Sequence, residues 1–169
     1  MKIFLFSLLL TLLTMPTTNA QGLATLKASA QSTSTDGRTL TTARNHHFIV
    51  DAPPPLGGPN EAINPIEMLM SSLATCGVLV SEKVAAELDL PLRLAKASAE
   101  GDLDPRGVKG EAINPRIQAF RVELELTGVS EAQGKQLAEA VKTRCPIYTT
   151  LARAAPIEMK LVCKEVKDK

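Results

Sequence analysis

The chain has 169 residues, of which 22% are charged, and a formal net charge of +1 at neutral pH. Only 3% of the residues are aromatic. A nearly neutral chain with so few aromatic side chains lacks both the basic surface and the stacking platforms on which nucleic-acid binding depends. Nucleic acid is therefore not an expected partner, and the length suits a single domain of ordinary size.

The first twenty residues have the pattern of a secretory signal peptide. Lys2 provides a positive start, residues 3–13 form an apolar run, and Thr18-Asn19-Ala20 places small side chains at a cleavage site. This run is too short to span a bilayer, which requires about 20 apolar residues. The alternative is a buried N-terminal helix. We expect a signal peptide over residues 1–20, cut after Ala20, and a domain over 21–169 that is secreted or periplasmic, with no stable membrane insertion after cleavage.

The N-terminal part of this domain has the pattern of short strands. Residues 23–31 alternate between apolar and polar side chains, and Asp36-Gly37 is typical of a tight hairpin turn. Residues 39–43 and 47–51 then predict a second and a third strand. The following stretch, 51–60, is rich in proline and glycine and predicts a loop.

A long helix is predicted after this loop. Asn64 is a favourable N-cap, and Pro65 occupies the first helical position, where its missing N–H has no consequence. Residues 68–80 contain no charge, and Pro91 closes the segment. A helix that is apolar around its whole circumference must be buried on all sides. We therefore expect this helix to lie at the centre of the fold.

The second half of the domain mixes strands and helices. Residues 92–102 and 117–127 predict two longer strands, residues 129–143 and 145–153 predict two helices, and residues 157–166 predict a last strand. The order is strands, long helix, strands, two helices and strand. This order indicates an α+β fold with antiparallel sheet rather than alternating βαβ units.

Three cysteines remain after the expected cleavage: Cys76, Cys145 and Cys163. An odd number in an exported protein predicts one disulfide and one spare thiol, and the spacing excludes C-x-x-C redox and zinc patterns. Cys145 precedes a helix start, with Lys142 and Arg144 nearby, which favours a thiolate. Cys76 lies in the apolar helix, where a cysteine is commonly a small hydrophobic residue, and Cys163 is expected to face the core. The pairing stays open on spacing alone.

Two adjacent histidines are the only candidates for a metal site. His46 directly precedes the third predicted strand and His47 begins it, and neighbouring side chains on a strand point to opposite faces of the sheet. They cannot easily bind one ion together. We expect neither a metal nor another cofactor.

Several segments of the chain together resemble the signature of the OsmC/Ohr family. They are Asp51-x-Pro53, Leu56-Gly57-Gly58, Asn64-Pro65-x-Glu67-x-Leu69, Leu73-Ala74-x-Cys76 and, further on, Cys145-Pro146-Ile147-Tyr148. The resemblance spans roughly residues 24–163. It implies an OsmC-like fold of the α+β class, with antiparallel sheets around a long buried central helix. It also implies a homodimer in which two chains intertwine.

The resemblance further implies a thiol-dependent peroxidase. Cys76 would attack an organic or lipid hydroperoxide and become a sulfenic acid, with which Cys145 would condense to a disulfide. An external dithiol reductant would then reduce that disulfide by exchange. An apolar helix wall suits an organic hydroperoxide better than hydrogen peroxide.

Glu67 is the third residue that the resemblance places in the site. It lies nine residues before Cys76, which in a straight helix means about 13.5 Å of rise and about 180° of rotation. Glu67 would therefore have to come from the partner chain, or else serve only the helix dipole. Ile66 stands where the hydroperoxidases of this family carry their acid, which is a departure from the family. Arg38 and Arg44 are the candidates for the arginine that holds the thiolate.

A second reading of the same residues is a non-catalytic protein. It would be an exported OsmC-like dimer with a structural disulfide between Cys76 and Cys145, binding a small apolar ligand between its subunits. Ile66 favours this alternative, as does an oxidising compartment, which tends to keep dithiols as disulfides.

Overall fold

The computed structural model describes residues 22–166, so the expected signal peptide lies outside the described residues. These residues form two three-stranded sheets and a long helix. In chain order the elements are β1 (Ser29–Ser32), β2 (Arg38–Ala43), β3 (His46–Asp51), a 3-10 turn (Pro54–Leu56), α1 (Pro65–Glu87), β4 (Leu94–Asp102), α2 (Pro105–Val108), β5 (Ala119–Thr127), α3 (Glu131–Arg144), α4 (Pro146–Leu151) and β6 (Ile157–Lys164).

The first sheet is an antiparallel meander of β1, β2 and β3. Its first turn has the chemistry that the sequence predicts, because Gly37 has a φ of +66° and the amide of Arg38 donates to the carbonyl of Thr35 at 3.2 Å. The first strand is shorter than expected. It begins at Ser29 because the pairing with β2 covers only residues 29–32.

Glycines tie this first sheet to the loop before α1. A Cβ on Gly58 would overlap the carbonyl oxygen of Ala52, and a Cβ on Gly37 would lie 2.6 Å from the Cα of Gly58. The amide of Ala52 also donates to the carbonyl of Gly37 at 2.8 Å. The hairpin turn therefore contacts the Gly57-Gly58 loop through backbone alone, an approach that any side chain would prevent.

The long helix α1 begins where the sequence predicts. The side chain of Asn64 accepts hydrogen bonds from the amides of Ile66 (2.9 Å) and Glu67 (3.0 Å). In return, the carboxylate of Glu67 accepts a bond from the amide of Asn64 at 2.9 Å. This is a capping box, in which two otherwise unpaired backbone donors are satisfied reciprocally.

The expectation that α1 is buried on all sides is wrong for the single chain. Leu73, Gly77 and Ser81 lie on a buried face, but Leu79 on another face is 58% exposed. Only 28% of the most apolar 18-residue window of α1 is buried, and its length and composition would also suffice for a membrane span. The cause is one-sided packing, because β4, α3 and α4 contact α1 and leave the other side of the helix uncovered.

The second sheet has the order β4-β5-β6 and carries the core. β4 and β5 are antiparallel, as expected, but β5 and β6 are parallel. The reason is the connection, because α3 and α4 form a crossover that returns the chain to the sheet in its original direction. Alternate side chains of β5 are buried beneath α1 and α3, namely Phe120, Val122, Leu124 and Leu126. The α+β class is confirmed.

Candidate functional site

The two cysteines of the expected site lie on elements that pack against each other. Cys76 lies midway along α1 and is half-buried. Cys145 is fully buried and serves two helices, because it ends α3 and caps α4. Its sulfur accepts a hydrogen bond from the amide of Tyr148 at 3.3 Å. Pro146 takes the first position of α4, so the chain must turn at Cys145.

The fold brings these two thiols close together. The Cys76 and Cys145 side chains are near enough to interact, although the second half of α1, β4, α2, β5 and α3 separate them in the sequence. They lie close because α1 packs against both α3 and α4. All three cysteines of the chain are free thiols in the structure. Two thiols this close can form a disulfide with little movement of either element.

The expectation that the setting of Cys145 favours a thiolate is wrong. Burial, together with the interaction with Cys76, raises the pKa of Cys145 to about 11. The amide of Tyr148 works in the opposite direction but does not prevail. The cations that the sequence offered are engaged elsewhere, Lys142 with Glu139 and Arg144 with the end of α1. Cys145 is therefore a neutral thiol at pH 7.

The third cysteine, Cys163, packs against α3. Cys163 lies on β6, half-buried, and its sulfur packs so closely on Gly134 of α3 that a Cβ on that glycine would overlap it. Burial, chiefly, raises the pKa of Cys163. Its surroundings are those of a packed thiol, as the sequence led us to expect.

Glu67 does not reach the two thiols within this chain. Its side chain is exposed and completes the capping box with Asn64. Because α1 is one continuous helix, the nine-residue separation places Glu67 and Cys76 on opposite sides of it, about 13.5 Å apart along the axis. The single chain thus shows the capping role of Glu67 and no contact with Cys76.

Of the two candidate arginines, Arg38 is the one that makes ion pairs among the described residues. Its guanidinium lies 3.1 Å from the carboxylate of Asp51 and also pairs with Glu61. Asp51 has a fully buried side chain that accepts bonds from the amides of Glu61 (3.1 Å) and Ala62 (3.2 Å). Burial raises the pKa of Asp51, but Arg38 and the two amides outweigh it and hold that pKa below its usual value. Arg44, by contrast, is an exposed turn residue with a φ of +54°.

Reasoning from sequence missed this Arg38 cluster. The signal was Asp51 at the end of a strand and directly before a proline-rich loop, a position where a buried carboxylate needs a partner. Among the described residues, Nε of Arg38 is buried without a hydrogen-bond partner. The guanidinium is thus held through Nη2, which contacts both Asp51 and Glu61, and the cluster fastens the first sheet to the start of α1.

The histidines do not form a site together with acids or thiols. His47 makes a 2.9 Å hydrogen bond with the hydroxyl of Thr42, its neighbour across the sheet. Within residues 22–166 there is no group of three or more histidine, cysteine, aspartate or glutamate side chains placed to hold a metal ion.

The chain is similar to known proteins in sequence and in fold. The family described as OsmC-like protein matches residues 58–160 of the chain. The fold is similar to an OsmC-like protein from Mycoplasma pneumoniae, with a TM-score of 0.71, 17% identity, and coverage of 83% of this chain and 98% of that one. No curated protein sequence matches the chain significantly.

Two similar structures are organic hydroperoxide resistance proteins by name. The one from Legionella pneumophila, also named OsmC, has a TM-score of 0.64, 19% identity, and coverage of 84% of this chain and 99% of that one. The protein OhrB of Bacillus subtilis has a TM-score of 0.60, 17% identity, and coverage of 83% and 99%. At such identities the likeness shows the fold, whereas the family match covers more than half of the chain. The chain belongs to the OsmC-like protein family.

Proposed function

We propose that this protein is a thiol peroxidase that reduces organic hydroperoxides with Cys76 and Cys145. The observation that carries the proposal is the proximity of the two thiols where α1 packs against α3 and α4. The organic hydroperoxide resistance proteins among the similar structures support it.

The chemistry begins at Cys76 because Cys145 stays protonated at neutral pH. The Cys76 thiolate attacks one oxygen of the O–O bond, the other oxygen leaves with a proton as an alcohol, and Cys76 becomes a sulfenic acid. The Cys145 sulfur then displaces the sulfenic hydroxyl, which leaves as water with the thiol proton, and a disulfide forms. A dithiol reductant restores both thiols by exchange and is itself oxidised to a disulfide.

The surroundings of Cys76 support an organic substrate. The residues around it on α1 are small or apolar, including the exposed Leu79 and the half-buried Val80, and residues 68–80 carry no charge. An alkyl or lipid chain gains free energy by leaving water for such a surface, whereas hydrogen peroxide does not. We therefore assign organic hydroperoxides as substrates.

We also propose that two copies of the chain form the active protein. The uncovered side of α1 exposes Leu79, and the first sheet exposes Phe48 and Ile49. Exposed apolar surface of this kind is typical of an interface. A second α1 packed against the first in the opposite sense would bring Glu67 of one copy towards Cys76 of the other. The homodimer would thus complete the site.

Export is part of the proposal because the reductant must share the compartment of the enzyme. The sequence pattern of residues 1–20 supports cleavage after Ala20 and release outside the cytoplasm. The reductant would then be an exported dithiol. Mass spectrometry of protein isolated from its natural host should find a chain that starts at Gln21, and an intact Met1 would contradict export.

Two observations favour the non-catalytic alternative, in which a Cys76–Cys145 disulfide is structural and the dimer binds a small apolar ligand. Ile66 occupies the position of the expected acid, and Glu67 is already engaged in the capping box. If this alternative holds, reducing the disulfide lowers the stability strongly, and hydroperoxides are not consumed.

Titration of the reduced protein with hydroperoxides tests the proposal. If the protein is a peroxidase, tert-butyl or lipid hydroperoxide converts Cys76 and Cys145 to a disulfide and releases one alcohol per disulfide. Either organic hydroperoxide should oxidise the thiols faster than hydrogen peroxide does. Mass spectrometry locates the oxidised sulfurs, and a Cys163→Ser variant serves as the control that retains both reacting thiols. Hydroperoxides that leave both thiols untouched would overturn the peroxidase function.

A further inference from the structure

A single ion pair joins the end of α1 to the residue before Cys145. The guanidinium of Arg144, the last residue of α3, reaches the carboxylate of Glu87, the last residue of α1, at 2.6 Å and 3.0 Å. Both guanidinium nitrogens contact separate carboxylate oxygens, which is the bidentate geometry of the stronger ion pairs. Within residues 22–166 no other ion pair joins α1 to another helix.

The carboxylate of Glu87 is itself held in place. Lys83, one turn earlier on α1, contacts it at 2.8 Å. The hydrogen bonds from Arg144 and Lys83, in that order, lower the pKa of Glu87 to about 2. The carboxylate therefore stays charged at every pH at which the protein is expected to work.

Glu87 and Cys76 lie on the same face of α1. Eleven residues separate them, which corresponds to about three full turns, a remainder of about 20° and about 16.5 Å of rise. One face of α1 thus lies against two consecutive residues at the end of α3. Cys76 lies close to Cys145, and Glu87 contacts Arg144.

The junction that carries Cys145 needs such a support. Cys145 has a ψ of 115°, outside the helical region, and Pro146 prevents α3 from continuing. The direction of its thiol therefore depends on how the end of α3 is held on α1. Arg144 is the adjacent residue and the one that makes the charged contact with α1.

We propose that the Arg144–Glu87 ion pair positions Cys145 against Cys76 and thereby sets how readily the two thiols form a disulfide. Arg144 and Glu87 are positioning residues, since neither touches the reacting sulfurs in the described contacts. The biological use of this disulfide rests on the proposed peroxidase function. The effect of the ion pair on the dithiol–disulfide equilibrium can be measured whether or not the protein is a peroxidase.

A redox titration tests this inference without any peroxide. The full chain is equilibrated in buffers of reduced and oxidised dithiothreitol, and the disulfide fraction is measured by mass spectrometry after alkylation. In Glu87→Gln, Arg144→Gln and the double variant we expect the equilibrium constant for the disulfide to fall about three- to tenfold, a shift of about 15–30 mV towards less negative potential.

The double variant separates positioning from general weakening. If the two residues act as one unit, the double variant shifts the equilibrium no further than either single variant does. The charge-matched control is Lys142→Gln, which removes a cation three residues before Cys145 and leaves the Arg144–Glu87 pair intact. The control should leave the potential unchanged. Far-UV circular dichroism checks that each variant is folded.

Two results would overturn the inference. One is an unchanged potential in folded Glu87→Gln and Arg144→Gln protein, and the other is an equal shift in Lys142→Gln. If the glutamine variants fail to fold, Arg144→Lys carries the test, because it keeps the charge but lacks the two-pronged contact. A smaller shift in the same direction supports positioning, and no shift contradicts it. A protein that never consumes hydroperoxide but shows these shifts keeps the inference and loses only the peroxidase function.

Discussion

The guanidinium of Arg38 lies 3.1 Å from the fully buried carboxylate of Asp51, the residue directly opposite it across β2 and β3. The pair closes the first sheet and, through Glu61 and the amide of Ala62, fixes that sheet to the chain just before α1. Removing one member would leave a buried charge without its partner.

This relationship predicts how the protein responds to acid. The pKa of Asp51 is lowered from its ordinary value of 3.8, so its contribution to stability is complete above that value and is lost as the pH falls through the folded-state pKa. We expect the urea concentration at which half of the protein is unfolded to decrease once the pH is below about 4. The Asp51→Asn variant should unfold at a lower urea concentration at pH 7, and its midpoint should decrease less than that of the unaltered protein when the pH is lowered. An unchanged acid response in the variant would contradict this assignment.

A second pH dependence is expected at the alkaline end. The pKa of Cys145 is raised from 9.0 to about 11, so the stability associated with its neutral thiol is complete below pH 9 and is lost as the pH rises through about 11. The reduced protein should therefore unfold more easily as the pH rises over that range. Cys145→Ser should remove most of this slope, and Cys163, Lys135 and Lys142, whose pKa values are also raised, contribute to the slope that remains. A slope that is equal in the variant would contradict the raised pKa.

Loss of the resolving thiol should change the oxidation product. In Cys145→Ser the sulfenic acid on Cys76 has no neighbouring thiol, so excess hydroperoxide should carry it on to sulfinic acid. We expect the first equivalent to react at a rate close to that of the unaltered protein, with turnover abolished. Mass spectrometry of the Cys76 peptide distinguishes the two products. Sulfinic acid in equal amounts in both proteins would contradict the resolving role.

Two substitutions separate the capping role of Glu67 from a role in the site. Asn64→Ala removes the cap and should lower the free energy of unfolding by about 1 kcal/mol. Glu67→Gln keeps the capping box, since glutamine also accepts the bond, so stability should change by less than about 0.5 kcal/mol. If Glu67 of the partner supports Cys76, peroxide consumption by Glu67→Gln falls about tenfold, the equivalent of about 1.4 kcal/mol of activation free energy. Full activity would leave Glu67 with capping alone.

The exposed side of α1 predicts the assembly. Leu79→Glu places a charge on the surface that a second copy should cover, so the variant should elute as a monomer in size-exclusion chromatography. Its secondary structure should be retained because Leu79 is exposed in the single chain. Val108→Glu, which alters an exposed residue on the short helix α2, is the control. A dimeric Leu79→Glu protein would contradict an interface at this position.

Local patterns determined much of this protein from sequence. The Asp36-Gly37 turn, the Asn64 cap and the alternation of β5 depend on neighbours within a few residues, and the structure confirms each. The parallel pairing of β6 with β5 was not predicted, because it depends on where a two-helix crossover delivers the chain.

Only the tertiary structure decided the chemistry of the site. From sequence, Cys145 has basic neighbours and a helix start, which lower a thiol pKa, whereas in the fold Arg144 is engaged by Glu87 and burial dominates. The partners of Arg38 and the proximity of Cys76 to Cys145 are likewise long-range relationships. Burial and charge pairing depend on which distant residues meet, whereas caps, turns and periodicity depend on the local chain. The sequence therefore determined the elements and the family resemblance, and the packing of α1 against α3 and α4 decided that Cys145 stays protonated.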